Sequence, residues 1–152
     1  MTKDFADFLA SLNREGVAYV VIGGIAVLAH VPYRTTRDLD ILIEPSRENA
    51  EKARRAVGVW GSFDPEYTAE EFISGDILSF GGLLRVEIHS RVPGVTWQDV
   101  WSGRVEGEFL GVSTTFAGID ELIRMKRATA NAEKDLPDVL RLELLRKQKD
   151  VK

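Results

Sequence analysis

At 152 residues, with 44% hydrophobic and 29% charged side chains, the chain has the size and composition of one globular domain rather than of a disordered or fibrous protein. Its 20 basic and 24 acidic residues, net −4, exclude a global positive field for holding a phosphate backbone, so any nucleic acid must meet a local patch. The absence of cysteine excludes disulfides and thiolate metal sites and fits a cytoplasmic protein.

The start, Met1-Thr2-Lys3-Asp4-Phe5, lacks the basic-then-apolar pattern of a secretion signal and reads as mature sequence. Phe5, Phe8, Leu9 and Leu12 fall at i, i+3, i+4 and i+7, which predicts an amphipathic helix ended by Gly16. The longest apolar stretch, Val17 to Val31, is broken by Gly23-Gly24, includes His30 and is too short to span a membrane. It reads as a buried strand over 17–22 and a small-residue helix from Ile25 to Ala29, stopped by Pro32. Thr36 to Glu44 predicts a second strand, with Leu39, Ile41 and Ile43 on one face and Asp38, Asp40 and Leu42 on the other.

Pro45-Ser46 caps a helix running through Val57, followed by a Gly- and Pro-containing stretch to Pro65 and a less regular segment around Glu70-Phe72. Ile77 to Phe80 and Leu83 to Ser90, separated by Gly81-Gly82, carry the pattern of a tight β-hairpin. In its second arm Leu84, Val86 and Ile88 form the apolar face and leave Arg85, Glu87 and His89 together on the other. Arg104 to Thr115 predicts one or two more strands, and Gly118-Ile119-Asp120 leads into a helix ending near Ala130. Asn131 and Pro137 bracket the start of a last helix, Leu136 to Lys147.

Two aspartates two apart on a strand project in parallel and suit one hard cation such as Mg²⁺. With 11 Asp in the chain, an Asp-x-Asp arises by chance about 0.8 times, so the spacing by itself decides nothing. The context adds a strand, a Gly-Gly turn whose backbone N–H groups can approach phosphate, a helix N-terminus, and then the acids. Glu87, from the polar face of another strand, offers a third carboxylate and with it a second metal.

The segment VIGGIAVLAHVPYRTTRDLDILIE, residues 21–44, resembles the nucleotidyltransferase signature of the DNA polymerase beta superfamily. The branch it looks like holds AbiEii-type toxins, minimal nucleotidyltransferases and lincosamide nucleotidyltransferases. LIRMKRATANAEKDLPDVLRL, residues 122–142, resembles the C-terminal pattern of the same branch, in which a Met-Lys pair precedes Lys-Asp-x-x-Asp. The resemblance implies an α+β fold with a mixed sheet flanked by helices, an NTP donor, and two Mg²⁺ ions, or Mn²⁺, held by Asp38, Asp40 and Glu87. It further implies in-line attack of an acceptor hydroxyl on the α-phosphorus, with Glu87 placed to take the proton. Gly23, Gly24, Arg37, Lys126 and Lys134 are the candidates for holding the nucleotide phosphates. Three positions depart from the usual residues of the family: Gly24 where serine is common, Glu87 where aspartate is common, and Asn131-Ala132 where an arginine often precedes the Lys-Asp pair.

Each candidate also has a plainer reading. Asp38 and Asp40 could form a solvated strand end, and Glu87 could pair with Arg85 or His89 on an exposed face. Arg34 and Arg37 could simply offset the local acids, Lys126 could belong to a charged helix face, and Asp135 and Asp138 suit a helix start. His89 is a candidate for contact with acceptor or metal; His30 is assigned no role. The leading expectation is a Mg²⁺-dependent nucleotidyltransferase acting on RNA such as tRNA, a protein or a small molecule, within a toxin–antitoxin pair in one version. The alternative is a weak or inactive module of the same fold that binds nucleotide or a partner. So short a chain leaves little room for an acceptor surface, which points to a homodimer mate or an antitoxin-type partner.

Overall fold

The computed structural model describes residues 5–30, 38–62, 65–81, 85–128 and 132–150, excepting the side chains of 27–30, 132–138 and 149–150. The amphipathic N-terminal pattern forms helix α1, Phe5–Arg14, with Phe8, Leu9 and Leu12 fully buried. Strand β1, Tyr19–Ile22, is buried along its length and passes directly into helix α2, Gly23–His30. The helix therefore begins at the glycines themselves, two residues before the predicted Ile25. Strand β2, Asp38–Ile43, carries the two acids at its start and is buried on both faces at its end, where Ile41, Leu42 and Ile43 are covered.

Helix α3, Arg47–Gly61, starts as predicted at an N-cap, with Ser46 accepting from the Asn49 N–H, and runs four residues past the expected stop at Val57. The glycines at 58 and 61 are carried through because Trp60 packs edge-on against Phe8 at 5.1 Å, and burial of a large aromatic outweighs the weak helix preference of glycine. After the short helix α4, Ala69–Phe72, strands β3, Leu78–Gly81, and β4, Arg85–His89, form the expected antiparallel pair. Helix α5, Trp97–Ser102, was not anticipated; its signal is a capping box between Thr96 and Asp99. Strands β5, Val105–Phe109, and β6, Val112–Phe116, make a second hairpin. Helix α6, Ile119–Ala128, and helix α7, Ala132–Asp150, complete the chain. The last helix starts four residues before the predicted Leu136 and takes Pro137 into its second turn.

The six strands form one mixed sheet in the order β3-β4-β2-β1-β6-β5. Helix α3 packs against α1 and against α4, and α2, α6 and α7 pack with one another, so this is an α+β fold. No helix among the described residues is long and apolar enough to cross a membrane.

One buried polar side chain ties the strand layer to α3. Asn49 accepts from the Ala18 N–H at 2.8 Å and donates to the Ala18 and Glu44 carbonyls at 3.0 Å each, holding together the start of β1 and the end of β2. Asn49→Ala should leave the Ala18 N–H without its acceptor, while the Ala18 and Glu44 carbonyls keep the N–H groups of Glu44 and Ser46, and cost about 1–3 kcal/mol, read as a lower urea midpoint with unchanged slope.

Candidate metal and nucleotide site

The site is assembled where β2 and β4 run side by side. Their parallel register sets Asp38 beside Arg85, Asp40 beside Glu87 and Leu42 beside His89. Alternation along each strand turns Asp38 and Asp40 to the same face as Arg85, Glu87 and His89, so five polar side chains from two distant segments meet.

Asp40 is the centre of the group. Its Oδ1 accepts from His89 Nε2 at 3.0 Å, and the two side chains are 18% and 12% exposed, enclosed enough for that contact to be firm. One ligand atom from each of Asp40, Glu87 and His89 lies within 4.8 Å of the other two, a donor set fit for a divalent cation. Asp38 sits further out: its Oδ1 is 3.5 Å from Arg85 Nε, which is also 3.6 Å from Glu87 Oε1. Burial first, and then a hydrogen bond with Asp40 and that residue's charge, push the Glu87 carboxyl above its ordinary value, with Asp38 adding to the effect and His89 opposing it. A cluster that resists full ionisation when empty is one that a cation relieves.

No protein-family model matches the chain, and no curated protein matches it. Among solved structures, the chain is similar to an antigenic nucleotidyltransferase-like protein from Paracoccidioides brasiliensis. The two are 16% identical, and the match covers 92% of this chain and 74% of that one with a TM-score of 0.53. The fold is nucleotidyltransferase-like.

In this nucleotidyltransferase-like fold Gly23 lies directly against Asp40. Gly23 has φ +70°, and a Cβ placed there would stand 2.6 Å from Asp40 Oδ2 and 3.1 Å from its Cβ. Glycine is thus required twice, by backbone conformation and by the closeness of the carboxylate. Because α2 starts at this residue, its first-turn N–H groups, which have no carbonyl within their own helix to bond, begin beside Asp40. Gly23→Ala is expected to cost about 1–2 kcal/mol in backbone strain and to displace the Asp40 carboxylate. Divalent-cation-dependent thermal stabilisation of the variant should shrink along with its denaturation midpoint.

A cavity of about 620 Å³ opens from this point. Gly23, Asp40 and His89 line one side, Leu122, Met125 and Lys126 of α6 line another, and Arg91 reaches its rim. Lys126 therefore shares a cavity with Asp40, as a nucleotide-phosphate contact requires. Arg91 continues the 85-87-89 alternation beyond the strand, and its guanidinium lies so close over Gly75 that a Cβ there would sit 2.6 Å from Nη2. Gly24 is buried in the first turn of α2. Arg34, Arg37 and Asn131 fall outside the described residues; Ala132 and Lys134 belong to α7 by their backbone, with their side chains outside the described set.

Sequence reading alone gave Arg85 no role beyond pairing with Glu87 and offered His89 as a candidate for contact with acceptor or metal, outside the Asp38, Asp40 and Glu87 set. The period-two row from Arg85 to Arg91 was the available signal, but which of its members meets Asp40 depends on the pairing of β4 with β2.

Proposed function

We propose that the chain is a divalent-cation-dependent nucleotidyltransferase of the small-domain branch of the DNA polymerase beta superfamily. It moves a nucleoside monophosphate from an NTP to a hydroxyl on RNA, a protein or a small molecule. The observation that carries this reading is the Asp40–Glu87 register across β2 and β4, beside the first turn of α2, within a nucleotidyltransferase-like fold.

Asp38, Asp40 and Glu87 would hold two Mg²⁺ ions in this reading; carboxylate oxygens of Asp40 and Glu87 within 4.8 Å of one another, and Asp38 on the same face of β2 as Asp40, support it. Bound cations would lower the pKa of the attacking hydroxyl and neutralise charge on the triphosphate and leaving pyrophosphate. The chain's own groups do the rest. First-turn N–H groups of α2 receive phosphate oxygens, and Lys126 from α6 adds a cation on the cavity wall. Glu87 offers a carboxylate oxygen to accept the acceptor's proton.

The test is incubation of purified chain with Mg²⁺ and each labelled NTP against separated pools of tRNA, protein and small metabolites. Labelled acceptor with pyrophosphate release supports the reading; no labelling from any pool with any NTP counts against it.

Arg85 favours a second reading. Its guanidinium bridges Asp38 and Glu87, offsetting two of the three acids without a metal ion. On that reading the chain is a nucleotide- or partner-binding module, an antitoxin-type protein or a second copy of the chain being the partner. Calorimetry separates the two: nucleotide binding without pyrophosphate release belongs to the module.

A further inference from the structure

We infer that His89 is itself a metal ligand, so that the inner cation site is a mixed one of Asp40, Glu87 and His89. Such a site takes a Mn²⁺- or Zn²⁺-class ion in preference to Mg²⁺. This rests on the reading of Asp40 and Glu87 as metal ligands and changes its chemistry.

Three observations carry it. The three ligand atoms lie within 4.8 Å of one another, whereas Asp38, further out along β2, faces Arg85. His89 Nε2 and Asp40 Oδ1 are 3.0 Å apart, and two donors at right angles about an ion, each about 2.1 Å from it, are also about 3 Å apart. An ion can therefore take the place of the proton between them with little movement of either side chain, the neutral imidazole turning its Nε2 lone pair to the ion and carrying its one proton on Nδ1. Finally, both side chains are largely enclosed and line the same cavity, so an ion has a way in and few waters to retain. Mg²⁺ dehydrates reluctantly and prefers oxygen donors, whereas imidazole suits borderline transition ions. The outer position, where Asp38 and Asp40 share a face, offers carboxylate oxygen alone and keeps the hard-ion character that an NTP-bound Mg²⁺ needs.

The competing account is that His89 only orients Asp40 through their hydrogen bond. Electron paramagnetic resonance of Mn²⁺ titrated into the nucleotide-free full chain distinguishes them. Loss of the free-ion signal gives affinity, and nitrogen hyperfine modulation of the bound ion reports a directly bonded imidazole. The chain has two histidines, so His30→Gln assigns the nitrogen. Nitrogen coupling is expected in the wild type and in His30→Gln. In His89→Gln it should vanish, with Mn²⁺ affinity weakened roughly tenfold or more and Mg²⁺ affinity, read by competition, changed less.

Bound Mn²⁺ without nitrogen coupling in the wild type, or coupling that survives in His89→Gln, overturns the inference and leaves Asp40 and Glu87 as ligands of an oxygen-only site. Should Mn²⁺ enter only with a non-hydrolysable uridine triphosphate analogue, whose base offers no ring-nitrogen lone pair, coupling in that complex decides by the same criterion. Failure of the wild type to bind Mn²⁺ with or without the analogue overturns both readings. The wild-type spectrum carries the decision even if the His89 variant folds poorly.

Discussion

Asp40→Ala is expected to lower nucleotidyl transfer by about 10³-fold or more while leaving the fold in place. Asp40 is the one acid that touches every part of the site: its Oδ1 meets His89, its Oδ2 faces Gly23 at the start of α2, and its register partner is Glu87. Its removal takes a ligand from each proposed cation at once. A catalytic metal contributes several kcal/mol of charge stabilisation, and about 4 kcal/mol corresponds to about 10³ in rate. The fold should tolerate the change, because a like charge leaves a cluster already crowded with Asp38 and Glu87. The check is the initial rate of labelled-monophosphate incorporation, with circular dichroism confirming equal folding. A variant retaining more than a tenth of the wild-type rate removes Asp40 from the metal set.

Glu87→Gln is expected to act in opposite directions on activity and on stability. Transfer should fall by about 10²-fold or more, since a neutral amide binds a cation poorly and accepts no proton. The metal-free protein should become more stable near neutral pH, by on the order of 1 kcal/mol or about 2–4 °C in melting temperature. The sign follows from the raised carboxyl. Between the unfolded and folded pKa values the native chain holds more protons, so wild-type stability declines as pH rises through that window. Above the window the full cost of the crowded charge is present, and glutamine removes it; below the unfolded value the variant's advantage should vanish. With a divalent cation the order reverses, because the ion needs Glu87 ionised, and cation-induced stabilisation of the wild type should fade as pH drops into the same window. Melting curves at several pH values, with and without cation, test both halves. A Glu87→Gln protein that is less stable without metal at neutral pH contradicts the crowded-acid account.

Much of the framework follows from local pattern. Alternation along 38–43 and 85–89 fixed which residues face together, and the Ser46 cap and the N-terminal apolar spacing fixed two helices. The misses have physical causes. Helix α3 overran its predicted end because Trp60 found Phe8, a partner 52 residues away that no local propensity encodes. Helix α5 has a local start signal in Thr96 and Asp99 but only six residues, too few to show a helical period, and its two tryptophans stack on each other at 5.2 Å.

The same division runs through the site. Asp38 and Asp40, a spacing that chance supplies, become informative through a glycine turn that precedes them and a carboxylate that follows far along the chain. The sequence by itself determined the faces: strand alternation is a local steric property, and it put the acids of β2 on one side and Arg85, Glu87 and His89 on one side of β4. Only the tertiary structure decided which of these residues meet. Strand register between segments nearly fifty residues apart is set by burial of Leu39, Ile41, Val86 and Ile88 in a shared core, and that packing brings Glu87 beside Asp40, His89 onto its Oδ1 and Gly23 against its Oδ2.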